Sequence, residues 1–271
     1  MNDLDGEKVK AAVREHYGKV AELNEPGCAP GCCGSGTQSS LRLGYSEEDL
    51  AALPEGADLG LGCGNPQVIA NLRVGDTVVD LGSGAGFDSF LAARKVGPSG
   101  KVIGVDMTAA MVTKARDNAR RAKVERVEFR LGEIEHLPIA DGVADVILSN
   151  CVINLVPDKK AAFSEAFRVL KRGGRLAISD VVAIAPLPAA LQEKVAALTG
   201  CISGASPVDE LQAALLQAGF ETVKIEVKRE SREFIRDWMP GSDAENYIAS
   251  ATIEAVKPLD QPCCEPGCCT G

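Results

Sequence analysis

The chain holds ten cysteines in three groups: Cys28, Cys32 and Cys33 near the start; Cys63, Cys151 and Cys201, each alone and far from the others; and Cys263, Cys264, Cys268 and Cys269 at the end. The middle three are the residues whose types and placing best suit chemistry. Cys63 and Cys201 lie in the glycine-bearing strings GLGCGNP and TGCISGA, and Cys151 follows directly on the apolar strand pattern ADVILSN. Thiolates are the ligand form of cysteine, and soft metals and metalloids prefer them. Three lone thiols gathered at one sheet edge would therefore hold a soft, thiol-seeking atom. A single cysteine is usually a small buried hydrophobe, a reading that serves poorly for three in loops around a common edge.

A second signal concerns a cofactor. Thr77 to Leu81 (TVVDL) is a β-branched apolar run, followed by Gly82-Ser83-Gly84-Ala85-Gly86 and a helical pattern from Phe87 to Val96. Glycines suit that turn because the backbone must bend sharply and approach a ligand closely. The spacing is GxGxG, with Asp80 just before it, and not the GxGxxG of dinucleotide sites. A carboxylate there would repel a pyrophosphate and attract the ammonium of S-adenosylmethionine. The next strand, KVIGV, ends at Asp106, beside Met107; an acid about 20 residues beyond the glycine turn is placed to accept hydrogen bonds from ribose hydroxyls. Asp80, Gly82, Ser83, Gly84, Gly86, Asp106 and Met107 are thus the candidate cofactor contacts. Asn150 and Asn154 flank Cys151 and could position the cofactor or the loop, or serve the turn itself.

The elements that must carry these residues alternate. The pattern predicts strands over Thr77–Leu81, Lys101–Val105, Arg126–Leu131, Ala144–Ser149 and Arg175–Val182, with helices over Asp88–Val96, Ala109–Ala122 and Lys159–Leu170 between them. Such alternation implies an α/β fold, a parallel sheet with helices on both faces. Before it come an amphipathic helix, Asp5–Leu23, and a short one, Tyr45–Leu53. After it come helices Leu187–Leu198 and Val208–Ala218, then strands Thr222–Lys228 and Asn246–Val256, able to pair as an antiparallel edge. The reading divides the chain into a lead-in (1–60), a cofactor-binding core (61–185), a substrate lobe with the final strands (186–258) and a Cys-rich tail (259–271).

At 271 residues and 45% hydrophobic content the chain can fill one large α/β core with a small second lobe. A net charge of −9 argues against nucleic acid, which needs clustered Lys and Arg. The one basic run, Arg116 to Arg130, is interrupted by Asp117, Glu125 and Glu128 and reads as a solvated face. The sequence shows neither an apolar stretch of 18 residues nor a signal-peptide pattern, so the expected location is cytoplasmic, off the membrane. A reducing compartment disfavours structural disulfides. The flanking segments PGCAPGCCGSG and PCCEPGCCTG then read as thiol-bearing Pro/Gly segments outside the core. Neither has the spacing of a structural zinc site, although zinc at the tail stays open.

The string VVDLGSGAGF, with Asp106 in register, resembles the class I (Rossmann-like) methyltransferases. SNCVINLVPDK, GLGCGNP and TGCISGA, with VREHYGKVA and GVDMT, resemble the arsenite S-adenosylmethionine methyltransferases along nearly the whole chain. The resemblance implies a mostly parallel seven-stranded sheet with helices on both faces, and methyl transfer from S-adenosylmethionine to arsenite and methylated arsenicals. It implies that Cys63, Cys151 and Cys201 bind As(III), joined during the cycle by Cys32 or Cys33, and that a thiol such as glutathione or thioredoxin is co-substrate. It also implies a contact of Glu133, in LGEIEHLP, near the adenine. Family members often carry Tyr two residues before the first core cysteine; here Leu61 stands there. The chain also ends soon after its last strand, without the C-terminal domain of longer members.

The chemistry follows from the ligands. Three thiolates around As(III) leave a lone pair pointing away from the sulfurs, and if it faces a sulfonium methyl the enzyme contributes mainly alignment, worth roughly 7–11 kcal/mol. No general base is needed, so His16 and His136 read as structural or solvent-facing, and Trp238 and Met239 as packing residues. Cys263, Cys264, Cys268 and Cys269 are candidates for capturing arsenic. Two other functions fit the residues less fully: methylation of an organic small molecule such as a quinone precursor, with incidental cysteines, and metalloid sequestration by the terminal cysteines.

Overall fold

The computed structural model describes residues 3–23, 36–188, 204–238 and 241–259. Its strands are β1 (Thr77–Leu81), β2 (Lys101–Asp106), β3 (Val127–Leu131), β4 (Ala144–Asn150), β5 (Leu170–Ala183), β6 (Glu221–Lys228) and β7 (Ile248–Val256). The helices are α1 (Asp3–Leu23), α2 (Gly36–Arg42), α3 (Glu47–Ala51), α4 (Phe87–Val96), α5 (Ala109–Ala122), α6 (Lys159–Val169), α7 (Val208–Gln217) and α8 (Arg232–Trp238). The strands form one seven-stranded sheet in the order β3-β2-β1-β4-β5-β7-β6. β7 alone runs antiparallel to its neighbours, β5 and β6.

Strand alternation sorts the core into two layers. Val79, Leu81, Ile103 and Val105 face the side covered by α6 and α7 through Phe163, Val169, Leu211 and Leu215. Val78, Val102, Val146 and Ala177 face the opposite side, where Ala92 and Val96 of α4 pack. The sheet order reverses between β1 and β4, and ligands of such sheets bind outside the carboxyl ends of the strands at that point. Asp80 and Asn150 stand at those two ends.

Two boundaries differ from the sequence pattern for local reasons. Ser46 caps α3, its hydroxyl accepting from Asp49 N and Asp49 accepting from Ser46 N, so the helix starts late and Tyr45 turns inward. β5 starts at Leu170, before the expected Arg175, because Leu170 already pairs with Ala144 ahead of a register shift. The expected antiparallel edge forms, and α2 and α8 are additional. Beyond Pro188 the expected helix Leu187–Leu198 lies outside the described residues, as do Cys201, Met239 and the cysteines of both flanking segments. Among the described residues no helix is long and apolar enough to cross a membrane.

Candidate functional site

The turn after β1 is built as the glycines require. Gly82, Gly84 and Gly86 all have positive φ (67°, 51° and 98°). A Cβ on Gly82 would meet Val152 at 2.4 Å, whereas one on Gly84 would meet nothing within 4 Å. Gly84 therefore lies open on the cavity it lines with Asp80, Gly82, Ser83, Asp106 and Met107. Gly86 serves packing: a Cβ there would strike Phe90 at 2.6 Å and Phe129 at 2.8 Å.

The cavity is acidic. Asp80 is 2% exposed and accepts from Ser89 Oγ at 2.6 Å. Asp106 accepts from Gly84 N at 2.9 Å and Thr108 N at 2.8 Å. Asp88, two residues into α4, lines the same space. Burial pushes all three carboxyls above the usual range, Asp80 well above, with Asp88 the next cause there. None of the three has an ion-pair partner among the described residues, and the buried Ser83 Oγ has no hydrogen-bond partner among them. Buried carboxylates with hydrogen bonds but no ion-paired cation beside them, next to an unused hydroxyl, fit a cationic ligand that also carries hydrogen-bonding groups. S-adenosylmethionine has that chemistry.

Glu133 has a different placing from the one expected of an adenine contact. It is absent from the cavity lining, and its carboxylate takes Lys10 Nζ at 2.7 Å and Arg14 Nη1 at 3.0 Å. These cations come from α1, so Glu133 anchors that helix, which in turn lays Lys10, Val13 and Tyr17 over the cavity. Its neighbours Ile134 and Glu135 line the space instead. Leu61 lines it too.

The thiols meet at the same sheet edge. One ligand atom each of Cys63, Cys151 and Asp180 lies within 4.8 Å of the other two. Cys151 lines the cofactor cavity and adopts a left-handed backbone (φ 59°), a strained state for a residue with a Cβ; its N–H donates to Ser179 O at 2.8 Å. Cys63 is fully buried, and its loop is held on both sides. Ser250 Oγ of β7 donates to Cys63 O at 2.7 Å, and Cys63 N donates to Asn150 Oδ1 at 3.2 Å. A Cβ on the adjoining Gly64 would lie 1.9 Å from Ser179 Oγ, so only glycine lets the loop approach so closely. Asn154 does not reach the cavity; its side chain donates to Asp180 Oδ1 at 2.9 Å and Val181 O at 2.6 Å.

Asn150 joins the two halves. Its amide donates to Gly64 O at 2.9 Å, Tyr45 Oη at 3.0 Å and Asp88 Oδ2 at 3.1 Å. Tyr45 Oη donates in turn to Asp88 Oδ1 at 2.9 Å, and Gln67 Nε2 to Asp88 Oδ1 at 3.3 Å. Tyr45, Gln67, Asp88 and Asp180 are the site residues that sequence reading missed. The signals available were an acid two residues past the glycine turn and a lone acid inside the run AISDVV. Tyr45→Phe is expected to destabilise the protein by about 1–3 kcal/mol, the cost of leaving a buried carboxylate and amide short of a partner; urea unfolding reads the change.

A strand order reversing at β1/β4, a glycine turn after β1 and an acidic cavity beside it define an S-adenosylmethionine-dependent methyltransferase fold, and a family model described as a methyltransferase domain matches residues 72–234. An arsenite methyltransferase of Halobacterium salinarum is 52% identical over 94% of this chain and 68% of its own length. The chain belongs to the arsenite methyltransferase family. A second member, from Aquipseudomonas alcaligenes, is 38% identical over 77% of this chain and 61% of its own length. The crystal structure of an arsenic(III) S-adenosylmethionine methyltransferase from Chlamydomonas reinhardtii matches with a TM-score of 0.62 at 31% identity, over 84% of this chain and 76% of that one. The chain thus spans about two thirds of the curated relatives it matches.

Proposed function

We propose that the chain transfers methyl groups from S-adenosylmethionine to thiolate-held As(III), as the names of its relatives say of them. The observation that carries this reading is the pair of thiols at the cofactor cavity, Cys151 lining it and Cys63 with its sulfur close by. Asp80 and Asp106, with the open backbone at Gly84, hold the cofactor. When bound, S-adenosylmethionine supplies an electrophilic methyl group on a sulfonium. Cys63 and Cys151, completed by Cys201, hold As(III) with its lone pair free, so no side chain need remove a proton, and the residues contribute placement. Val13, Tyr17 and Leu61 line the cavity with apolar surface and exclude water.

The same proposal includes a cycle role for Cys32 or Cys33, arsenic capture by Cys263, Cys264, Cys268 and Cys269, a thiol co-substrate such as glutathione or thioredoxin, and action in the cytoplasm. It takes residues 61–185 as the core and 186–258 as the substrate side. Incubation with arsenite, a thiol and methyl-labelled cofactor, followed by arsenic speciation, tests it. Labelled methylarsenicals are expected; cofactor binding without any methylated arsenic would turn the reading towards an organic substrate.

A further inference from the structure

We propose that Cys63, Cys151 and Asp180 form a site for a thiophilic divalent cation of the zinc class, which shares two thiols with the As(III) site and takes its third donor from a carboxylate. The three ligand atoms lie within 4.8 Å of one another. Zinc binds cysteine sulfur at about 2.3 Å and carboxylate oxygen at about 2.0–2.2 Å, so tetrahedral donors sit about 3.5–3.7 Å apart. Closing the cluster onto a cation therefore needs a contraction of no more than about 1.3 Å.

Asp180 has the orientation such a ligand requires. It is 2% exposed, and its Oδ1 accepts from Val181 N at 2.7 Å and Asn154 Nδ2 at 2.9 Å. Its Oδ2 accepts from Asn154 N at 3.4 Å, and the Ile153 backbone and the Lys159 charge also favour the ionised carboxylate. One oxygen is thus fixed by neighbours and the other retains lone pairs, as in carboxylate ligands oriented by outer hydrogen bonds. No ion pair of Asp180 occurs among the described residues. As(III) does not account for this carboxylate, because it prefers sulfur to a hard oxygen donor. A divalent d10 ion accepts both. Cys151 lines the cofactor cavity and Cys63 a second cavity with Ser179, Lys228 and Thr252, so the cluster lies between the two. A cation held there would block arsenite competitively.

The experiment uses the full reduced chain with the four terminal cysteines changed to serine, and Co2+ as the probe. A thiolate-to-cobalt charge-transfer band is expected, displaced by Zn2+ and by arsenite. Asp180→Asn should weaken Co2+ binding at least tenfold, while Cys151→Ser loses both Co2+ and arsenite binding. X-ray absorption of the Zn2+-loaded parent chain should give two sulfur neighbours with oxygen completing the shell, a readout that depends on no variant folding. Unchanged Co2+ affinity in Asp180→Asn, or a zinc shell of three or four sulfurs, would overturn the proposal. Because cation binding is read directly, it stands or falls apart from arsenite methylation.

Discussion

Cys151→Ser is expected to lower methyl transfer to arsenite more than a hundredfold while leaving affinity for S-adenosylmethionine within a few-fold of the parent. Loss of a residue that merely orients a metal ligand already costs about 10–100-fold, and a serine hydroxyl at the ligand position itself is hard, protonated and poorly matched to a soft centre. Cofactor affinity should survive because its charged partners, Asp80 and Asp106, belong to β1 and β2 and remain in place when the thiol is changed. The left-handed backbone at Cys151 remains in the variant, so the fold is not asked to change. Methyl transfer from labelled cofactor and calorimetry of cofactor binding check the two halves. A serine variant that methylates arsenite at the parent rate would remove Cys151 from the site.

Asp80→Asn is expected to weaken S-adenosylmethionine binding about 10–100-fold, corresponding to the roughly 1.5–3 kcal/mol of a hydrogen bond to a charged group, and to flatten its pH dependence. In the ligand-free protein burial, then Asp88, holds the Asp80 carboxyl well above the usual carboxylate range. A cationic ligand favours the ionised form. Binding therefore releases protons, and affinity in the parent should rise with pH through that raised value. The stability of the ligand-free protein moves the opposite way. A carboxyl whose folded value lies above its unfolded one contributes stability below the unfolded value and loses it as pH rises through the folded value. The thermal shift given by the cofactor should accordingly grow with pH in the parent and not in the variant. Calorimetry in buffers of different ionisation enthalpy counts the protons; equal proton release in parent and variant would place the titrating group elsewhere.

What could be read in the sequence was whatever depends on neighbours along the chain. TVVDLGSGAGF located strand, turn and helix to within one residue, because three alternate glycines mark a turn whose positive φ other residues rarely adopt. The lone thiols Cys63 and Cys151 could be picked out because one lies in a glycine-rich loop and the other directly follows a strand. What escaped depends on partners far apart in the chain. Glu133 looked available until α1 delivered Lys10 and Arg14 to it, across separations of 123 and 119 residues. Tyr45 looked like a helix residue, yet its hydroxyl joins Asp88, 43 residues on, and Asn150, 105 residues on. The extra turn of β5 came from a register shift against β4, which no single-strand pattern encodes.

The reversed strand β7 has a consequence for the order in which the protein becomes competent during synthesis. The cofactor cavity is lined by residues between Lys10 and Pro157. The loop of Cys63 is tied down by Ser250, which belongs to the latest strand in chain order among the described residues, yet that strand occupies an interior position between β5 and β6. A domain generally folds as a unit once its parts are available. A nascent chain emerging through Pro157 already carries the residues that line the methyl-donor cavity, yet its sheet lacks the interior strand β7 and its thiol loop lacks the second tether. Cys63 is clamped from behind only when residues 248–256 insert between their neighbours, so the seat for the acceptor waits on a strand from far down the chain.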